Sequence, residues 1–345
     1  MRALNEINSH LNGQLYTLLS NMNNQSVCVA GVHRLSQSGG KSELGNAPQS
    51  WILKSYRPRG SLARALYEKQ MSDNYLDAFD KSLWYQCDLR QLPQDIAESF
   101  VQMHPDSDTL SFLQKAEDKS DWILTQIWHS LAKAFLGWFM TQTSINGWLR
   151  RGSMFVLSLS QFLKLMNRNE AWRGVSLLDL GAGDGEVTAC IAPLFNNVFV
   201  TEVSQTMQML LQKRGYELLE IDKWHSARKY EVISCLNVLD RCDRPLLLLH
   251  QIKEALEYGG RALIAVVLPF SPYVETGSSD HKPKEVLPVS GESFEQQVSS
   301  LINDVFTPAG FEVIVWTRVP YLCEGDLRQS YYWLDDAVFL LKSVH

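Results

Sequence analysis

Apolar and polar positions divide the chain into two parts with different periodicities. Between residues 61 and 148 the apolar positions recur at helical spacing, which predicts amphipathic helices near 62–79, 93–102 and 121–140. After residue 155 short apolar runs alternate with helical runs. This alternation is typical of a parallel β-sheet with helices on both faces.

The second part predicts a sheet with a parallel body and an antiparallel end. Apolar runs predict strands at 175–180, 198–201, 216–220, 232–236 and 261–267, with helices at 160–166, 187–194, 205–214 and 245–256. Two further runs, 311–317 and 337–341, are separated by a loop without a crossover helix, so we expect them to pair antiparallel. The predicted fold class is therefore α/β, a Rossmann-like seven-stranded sheet with an N-terminal helical extension.

Composition suggests three regions along the chain. Residues 1–60 are rich in Ser, Asn, Gln and Gly and are predicted to be a weakly ordered extension. Residues 61–150 are predicted to form a helical region packed on the core, and residues 151–345 the α/β domain. The stretch 122–140 is strongly apolar, but it contains Gln126, His129 and Lys133 and should not span a membrane. Packing on the α/β domain is the favoured interpretation, and a membrane-interface helix is the alternative.

The overall charge is mildly acidic. A formal net charge of −6 and a pI near 5.8 argue against binding to nucleic acid through broad charge neutralisation. The six cysteines show no CxxC pair and no zinc-ligand spacing, so we expect free thiols and no metal. No secretory signal is evident at the N-terminus. These features predict an intracellular, cytoplasmic monomer.

A glycine-rich loop follows the first predicted strand, in the sequence LLDLGAGDGEVT. Asp179 precedes Gly181, Gly183 and Gly185, and a helix follows the last glycine. Glycines at such a turn let the backbone approach a ligand closely. The DxGxGxG spacing differs from the GxGxxG pattern of dinucleotide sites and suits S-adenosylmethionine. Glu202, at the end of the next strand, can accept hydrogen bonds from both ribose hydroxyls, and the two features together predict a class I methyltransferase fold.

The fourth strand ends in SCLNVLDRCDRP, which places Asn237 and Asp240 at the carboxyl edge of the sheet. Ligands of open α/β sheets bind at this edge, so both residues are candidates for contact with a methyl acceptor. Asn offers a donor and an acceptor, and Asp can take a proton or stabilise a developing cation. A structural alternative makes Asp240 the cap of the following helix, although Asp243 is the better capping candidate.

Six segments of the chain resemble the DREV, or methyltransferase-like protein 9, family. They are TSINGWLRRGSMFVLS, LLDLGAGDGEVT, SCLNVLDRCD, LPFSPYVE, and PYLCEGD with YYWLDDAVFLLK. The resemblance extends over roughly residues 61–344 and is dense from residue 143 onward. It implies a protein-histidine methyltransferase that uses S-adenosylmethionine, releases S-adenosylhomocysteine, and modifies the pros nitrogen of His in His-x-His motifs where x is small. It also implies association with the endoplasmic reticulum or mitochondria, although the apolar leader of some relatives is lacking.

The resemblance also implies roles for individual residues. Cofactor contacts are implied for Asp179, Gly181, Gly183, Glu202, Asn237 and Tyr321. Action at the substrate histidine is implied for Asp240 and Tyr332, with Asn237 nearby. The predicted partners are thus proteins or peptides with alternating histidines. Two alternatives remain open, namely a methyltransferase that acts on a small molecule and a non-catalytic adaptor that binds S-adenosylmethionine.

Overall fold

The structure, a computed structural model, describes residues 60–120, 152–275, 280–326 and 328–344. Residues 1–59 of the predicted extension over 1–60, and the predicted helix at 121–140, lie outside the described residues. Within the described ranges, no helix is long and apolar enough to cross a membrane.

Helices form the first part of the described chain. They are α1 (Ser61–Ala78), α2 (Gln94–Glu98) and α3 (Ser107–Ser120), with single 3₁₀ turns at Lys81–Tyr85 and Leu89–Gln91. The prediction for α1 is confirmed, while α2 ends four residues before the predicted helix does. Helix α3 was not predicted, because Leu113 and Ala116 are buried in a segment that is otherwise mostly polar.

The remainder of the chain forms one eight-stranded mixed sheet. Its strands are β1 (Met154–Phe155), β2 (Gly174–Leu180), β3 (Phe195–Thr201), β4 (Glu217–Leu218), β5 (Tyr230–Leu236), β6 (Leu256–Leu268), β7 (Phe311–Glu324) and β8 (Tyr331–Ser343). The strand order is β1-β7-β8-β6-β5-β2-β3-β4. Strands β2 to β6 pair in parallel, and β8 pairs antiparallel with both β6 and β7.

The predicted α/β class is confirmed, but the predicted strand count is one too low. The additional strand is β1, whose two residues pair antiparallel with the edge strand β7. Two residues carry no readable alternation, so only the pairing with Leu322 and Cys323 defines this strand. All seven predicted strands occur near their expected positions.

Helices cover both faces of the sheet. They are α4 (Leu159–Leu165), α5 (Glu186–Ile191), α6 (Gln205–Lys213), α7 (Trp224–Ala227), α8 (Pro245–Ala255) and α9 (Phe294–Ser300), and a π-helical turn, Leu301–Phe306, extends α9. One core contains residues of α8, α9 and the π-helical turn, and the other contains residues of α1, α3 and α4. Because both faces are covered, the central strands are apolar almost throughout, as in GVSLLDL of β2.

The N-terminal helices hold the turn between β7 and β8. The buried Lys69 of α1 donates to Ser330 Oγ at 3.0 Å, and Ser120 at the end of α3 shares a 2.7 Å hydrogen bond with the same hydroxyl. The side chain of Lys119 also pairs with Glu324. These contacts fix the ends of the two strands that carry Tyr321 and Tyr332.

Candidate active site

The glycine loop and Glu202, the residue after β3, are joined by a hydrogen bond. The backbone N–H of Gly183 donates to Glu202 Oε2 at 2.9 Å, and that of Ser204 donates to Oε1 at 2.8 Å. Glu202 is buried. Each carboxylate oxygen has two lone-pair directions, so each retains one for another donor. The carboxylate is thus held rigidly by the backbone while it can still accept two hydroxyl groups.

Asp179 lies beneath this loop rather than on its open side. Its two oxygens accept from Ser234 Oγ at 2.6 Å and from Thr188 Oγ1 at 2.5 Å. Burial raises the pKa of Asp179 to about 6, and the nearby Glu202 carboxylate adds to the increase. The residue therefore ties β2 to β5 and α5 and sets the shape of the loop. A direct cofactor contact for Asp179 stays a prediction.

The open side of the loop fits the predicted S-adenosylmethionine. Gly181 is exposed and has φ +69°, and a Cβ there would lie 2.8 Å from a Val238 methyl group. Gly183 has φ +56°, and no described atom lies within 4 Å of where its Cβ would be. These positive φ angles favour glycine. A side chain at position 181 would thus collide with Val238. The space beside Gly183, in contrast, is open, and a ligand there could also reach Glu202.

Asn237 directly follows β5 and is held in a left-handed conformation with φ +57°. Its backbone N–H donates to the Ala265 carbonyl at 3.0 Å, and its side-chain Nδ2 donates to Asp336 Oδ2 at 2.8 Å. The amide oxygen Oδ1 is buried and has no hydrogen-bond partner among the described residues. An unpaired buried acceptor is costly, so this oxygen is a candidate to receive a donor from a bound molecule.

Asp240 is 3% exposed, and one of its two carboxyl oxygens has no partner among the described residues. Oδ2 pairs with the Arg241 guanidinium at 3.2 Å, while Oδ1 receives no hydrogen bond within the described ranges. Burial raises the pKa of Asp240 to about 6, and Arg241 offsets part of the effect. A carboxyl with such a pKa is ionised at neutral pH and can still take up a proton near neutrality, which is the property expected of an acid–base group.

The structure excludes the capping role for both aspartates. Helix α8 begins after Arg244, and the exposed N–H groups of Leu246 and Leu247 donate to Glu285 Oε2 at 3.0 and 3.2 Å. Asp243 instead accepts two hydrogen bonds from Lys284, one from the backbone N–H of the lysine at 3.0 Å and one from its ammonium group at 2.5 Å. The prediction that Asp243 caps the helix is therefore wrong. A long-range glutamate caps α8, which leaves Asp240 without a structural task at the helix.

The two predicted tyrosines lie on the β7–β8 hairpin. The Tyr321 hydroxyl donates to the sulfur of Met154, and that of Tyr332 donates to Asp326 Oδ1 at 3.0 Å. Burial and the Asp326 carboxylate both raise the pKa of Tyr332, so its phenol stays protonated. Tyr332 and Asp336 project from one face of β8 but are about 13 Å apart along the strand. Tyr332 is therefore at some distance from the carboxyl end of β6.

Asp336 is a site residue that the sequence did not predict. It is fully buried on β8, opposite Val267 near the end of β6, and its Oδ1 has no partner in the described part of the chain. Burial raises its pKa well above the ordinary value. A charged residue at the start of the apolar run AVFLLK was the available signal, because aspartate is rarely buried without a reason.

Several solved structures are similar to this chain at low identity. An S-adenosylmethionine-dependent methyltransferase from Clostridium acetobutylicum has 14% identity and a TM-score of 0.34, over 50% of this chain and 86% of that one. The N-methyltransferase NodS from Bradyrhizobium japonicum, in complex with S-adenosyl-L-homocysteine, has 12% identity and a TM-score of 0.35, over 54% and 86%. At these values the similarities say nothing about the substrate of this chain.

A family model gives a more extensive match. The model described as DREV methyltransferase matches residues 84–343, from the first 3₁₀ turn to the last residue of β8. The match covers the glycine loop, the end of β5 and the whole β7–β8 hairpin. With the sheet order and the loop geometry described above, it follows that this chain belongs to the DREV methyltransferase family, whose cofactor is S-adenosylmethionine.

Proposed function

We propose that the protein methylates the pros nitrogen of histidine in protein or peptide segments of the form His-x-His, where x is a small residue. The observation that carries the proposal is the unpaired Oδ1 of Asp240, a buried carboxylate oxygen at the carboxyl edge of the sheet. The proposal also relies on the family, because the site alone does not specify histidine.

A carboxylate at this position suits an imidazole acceptor. The pros nitrogen can attack a methyl group only when its lone pair is free, which requires the proton to be on the tele nitrogen. Asp240 Oδ1 would accept that tele N–H, select this tautomer, and offset the positive charge that develops on the ring. Oδ2 stays paired with Arg241, so the carboxylate keeps a fixed orientation.

The same residue, Asp240, can also accept the proton that the substrate imidazole loses. Histidine has an unperturbed pKa near 6.5, so most substrate imidazole is neutral at pH 7 and needs no strong base before reaction. After methyl transfer, Asp240 with its pKa of about 6 can accept the tele proton. S-adenosylmethionine, when bound, supplies an activated methyl group on its sulfonium. Gly183 and Glu202 would hold it, with the unpaired oxygen of Asn237 as a further acceptor.

The wall beside Asp240 offers a surface for an extended peptide. Tyr273 donates its backbone N–H to the Asp240 carbonyl at 2.8 Å, and its ring stacks on His281 with 4.6 Å between centroids. Further along the chain, Glu285 of the same segment accepts from the Leu246 N–H and so fixes the segment to the start of α8. An anchored aromatic surface of this kind suits a second imidazole, which explains why alternating histidines would be favoured.

The proposal is tested with a panel of peptides incubated with the purified protein and S-adenosylmethionine. We expect methylation of a His-Ala-His peptide, at least 10-fold slower methylation of Ala-Ala-His, and no reaction with Ala-Ala-Ala. Mass spectrometry measures the products. Equal rates for the two histidine peptides would contradict the alternating motif. Turnover of small amines or phenols alone would favour a small-molecule enzyme, and cofactor binding without any turnover would favour an adaptor.

A further inference from the structure

Asp336 is fully buried, and only one of its two carboxyl oxygens accepts a hydrogen bond from the described part of the chain. It begins an apolar run on β8, and Oδ2 accepts a 2.8 Å hydrogen bond from Asn237 while Oδ1 has no described partner. Moving a carboxyl from water into a protein core costs several kcal/mol unless it is fully paired. A simple packing role would be served better by an apolar residue, so the bond to Asn237 needs an explanation.

Asn237 is fixed through both its backbone and its side chain. The backbone is left-handed and its N–H donates to Ala265, so the start of the side chain has a defined direction. The amide group can still take two orientations, related by a half-turn that exchanges oxygen and nitrogen. Asp336 Oδ2 faces one end of the amide and, as an acceptor, favours nitrogen there. The oxygen then occupies the other end of the amide, where no described residue pairs with it.

The buried carboxyl groups of Asp336 and Asp240 are close enough to influence each other's ionisation. Burial raises the pKa of Asp336 well above the ordinary value, and Asp240 and Asp335 add to the increase. Two nearby buried carboxyls do not readily ionise together. The charge on Asp240 therefore makes ionisation of Asp336 less favourable than burial alone would.

We propose that Asp336 is a positioning residue that holds the Asn237 amide with its oxygen toward the groups bound beside Asp240. In this orientation Asn237 accepts an N–H from a bound group and repels no ammonium or imidazole donor. With the amide reversed, the Nδ2 hydrogens would meet those donors. The identity of the bound groups rests on the proposed function, whereas the orientation of the amide does not.

Substitutions of the two residues test the proposal kinetically. Asp336→Leu removes the acceptor, and we expect kcat/KM on the His-Ala-His peptide to decrease roughly 10- to 100-fold, the scale of one buried hydrogen bond in a site. Asp336→Asn retains an oxygen that can accept from Asn237 and should restore most of the lost turnover. The control is Asp335→Asn, which alters an aspartate of the same strand that pairs with Arg318 at 2.7 Å, and it should react at the wild-type rate.

Comparison of the double variant with the two single variants shows whether Asp336 acts through Asn237. If Asp336 acts by orienting the amide, Asn237→Leu combined with Asp336→Leu should be no slower than the slower single variant. Losses that multiply in the double variant would overturn the proposal. The melting temperature of every variant is measured as well, and we expect no decrease for Asp336→Leu, because an apolar side chain replaces a buried polar group.

A spectroscopic measurement tests the orientation without any substrate. In ¹⁵N-labelled, deuterated protein, the Asn237 side-chain amide signal is identified by its absence in Asn237→Asp. We expect slow hydrogen exchange for this signal in the wild type and in Asp336→Asn, and at least 10-fold faster exchange in Asp336→Leu. Unchanged exchange in Asp336→Leu would overturn the proposal. A wild type that fails to methylate His-Ala-His would contradict the proposed function only, since the exchange measurement still decides the role of Asp336.

Discussion

Gly183 and Glu202 are joined by a 2.9 Å hydrogen bond from the backbone N–H of the glycine to Oε2 of the carboxylate. The bond connects the loop after β2 to the turn after β3. These two strands are adjacent and parallel in the sheet. Two sequence features that suggested cofactor binding separately, the glycine spacing and the acidic residue, thus form one structural unit. Disturbing either partner should affect the cofactor more than the rest of the fold.

Replacement of Glu202 should weaken cofactor binding to a degree that depends on the substitution. Glu202→Ala removes the acceptor for the Gly183 and Ser204 N–H groups and for the ribose, so we expect a loss of about 1.5–3 kcal/mol in S-adenosylhomocysteine affinity. Glu202→Gln keeps one acceptor oxygen and should lose less. Titration calorimetry provides the affinities. An alanine variant that binds as tightly as wild type would remove Glu202 from the site.

Alanine at Gly183 should affect the ligand rather than the fold. Gly183→Ala places a methyl group in space that the protein leaves open, at a cost of roughly 1–2 kcal/mol for the left-handed backbone. Gly259 is a matched control, because it also has a positive φ and no described atom near its Cβ position. We expect similar decreases in melting temperature for the two variants, but at least 10-fold weaker cofactor binding only for Gly183→Ala. Equal affinities in both would show that the ligand lies elsewhere.

The site residues differ in how visible they are in the sequence. Gly183 and Glu202 are predictable because their spacing from the strands is local, and the end of β5 locates Asn237 and Asp240 for the same reason. Asp336 was missed because the predicted strand began one residue later, at 337, although β8 begins at Tyr331. A buried aspartate inside a strand becomes understandable only when its partner, 99 residues away, is known.

The residue that caps α8 is far from the helix in the sequence. Capping rules are local and suggested Asp243, which immediately precedes Arg244 and Pro245. The structure instead uses Glu285, about 40 residues further along the chain, and assigns Asp243 to Lys284. Long-range contacts of this kind depend on how the loop after β6 folds back, and no periodicity encodes that path.

The buried charge of Asp240 should make the wild-type protein less stable at neutral pH than the uncharged variant Asp240→Asn. The pKa of Asp240 is about 6 in the folded protein, against an ordinary value of 3.8, so the folded state binds this proton more tightly than the unfolded chain. Its contribution therefore lowers stability as pH rises from about 4 to 6, by about 3 kcal/mol in total. We expect Asp240→Asn to melt at a higher temperature than wild type at pH 8, with a smaller difference at pH 4. A lower melting temperature at pH 8 would contradict the burial of an ionised Asp240.

The pH dependence of turnover should report two ionisations. Asp240 must be ionised, with a pKa of about 6, and the substrate imidazole must be neutral, with an unperturbed pKa near 6.5. Below pH 6 the logarithm of kcat/KM should therefore approach a slope of two against pH in the wild type. In Asp240→Asn only the imidazole titrates, and the slope should be one. Identical slopes in the two proteins would exclude Asp240 as an ionised participant.

The most direct measurement of the account is the rate and position of methylation by Asp240→Asn beside wild type. The substitution preserves size and removes the charge, so we expect kcat on the His-Ala-His peptide to decrease roughly 10²- to 10⁴-fold while cofactor affinity changes little. Asp243→Asn is the matched control, since Asp243 binds Lys284, and it should react as wild type does.

Products are hydrolysed, and pros-methylhistidine is separated from tele-methylhistidine by chromatography with mass-spectrometric detection. We expect pros-methylhistidine alone from wild type and from Asp243→Asn, and a greatly reduced yield from Asp240→Asn. Wild-type formation of tele-methylhistidine, or turnover by Asp240→Asn within threefold of wild type, would contradict it.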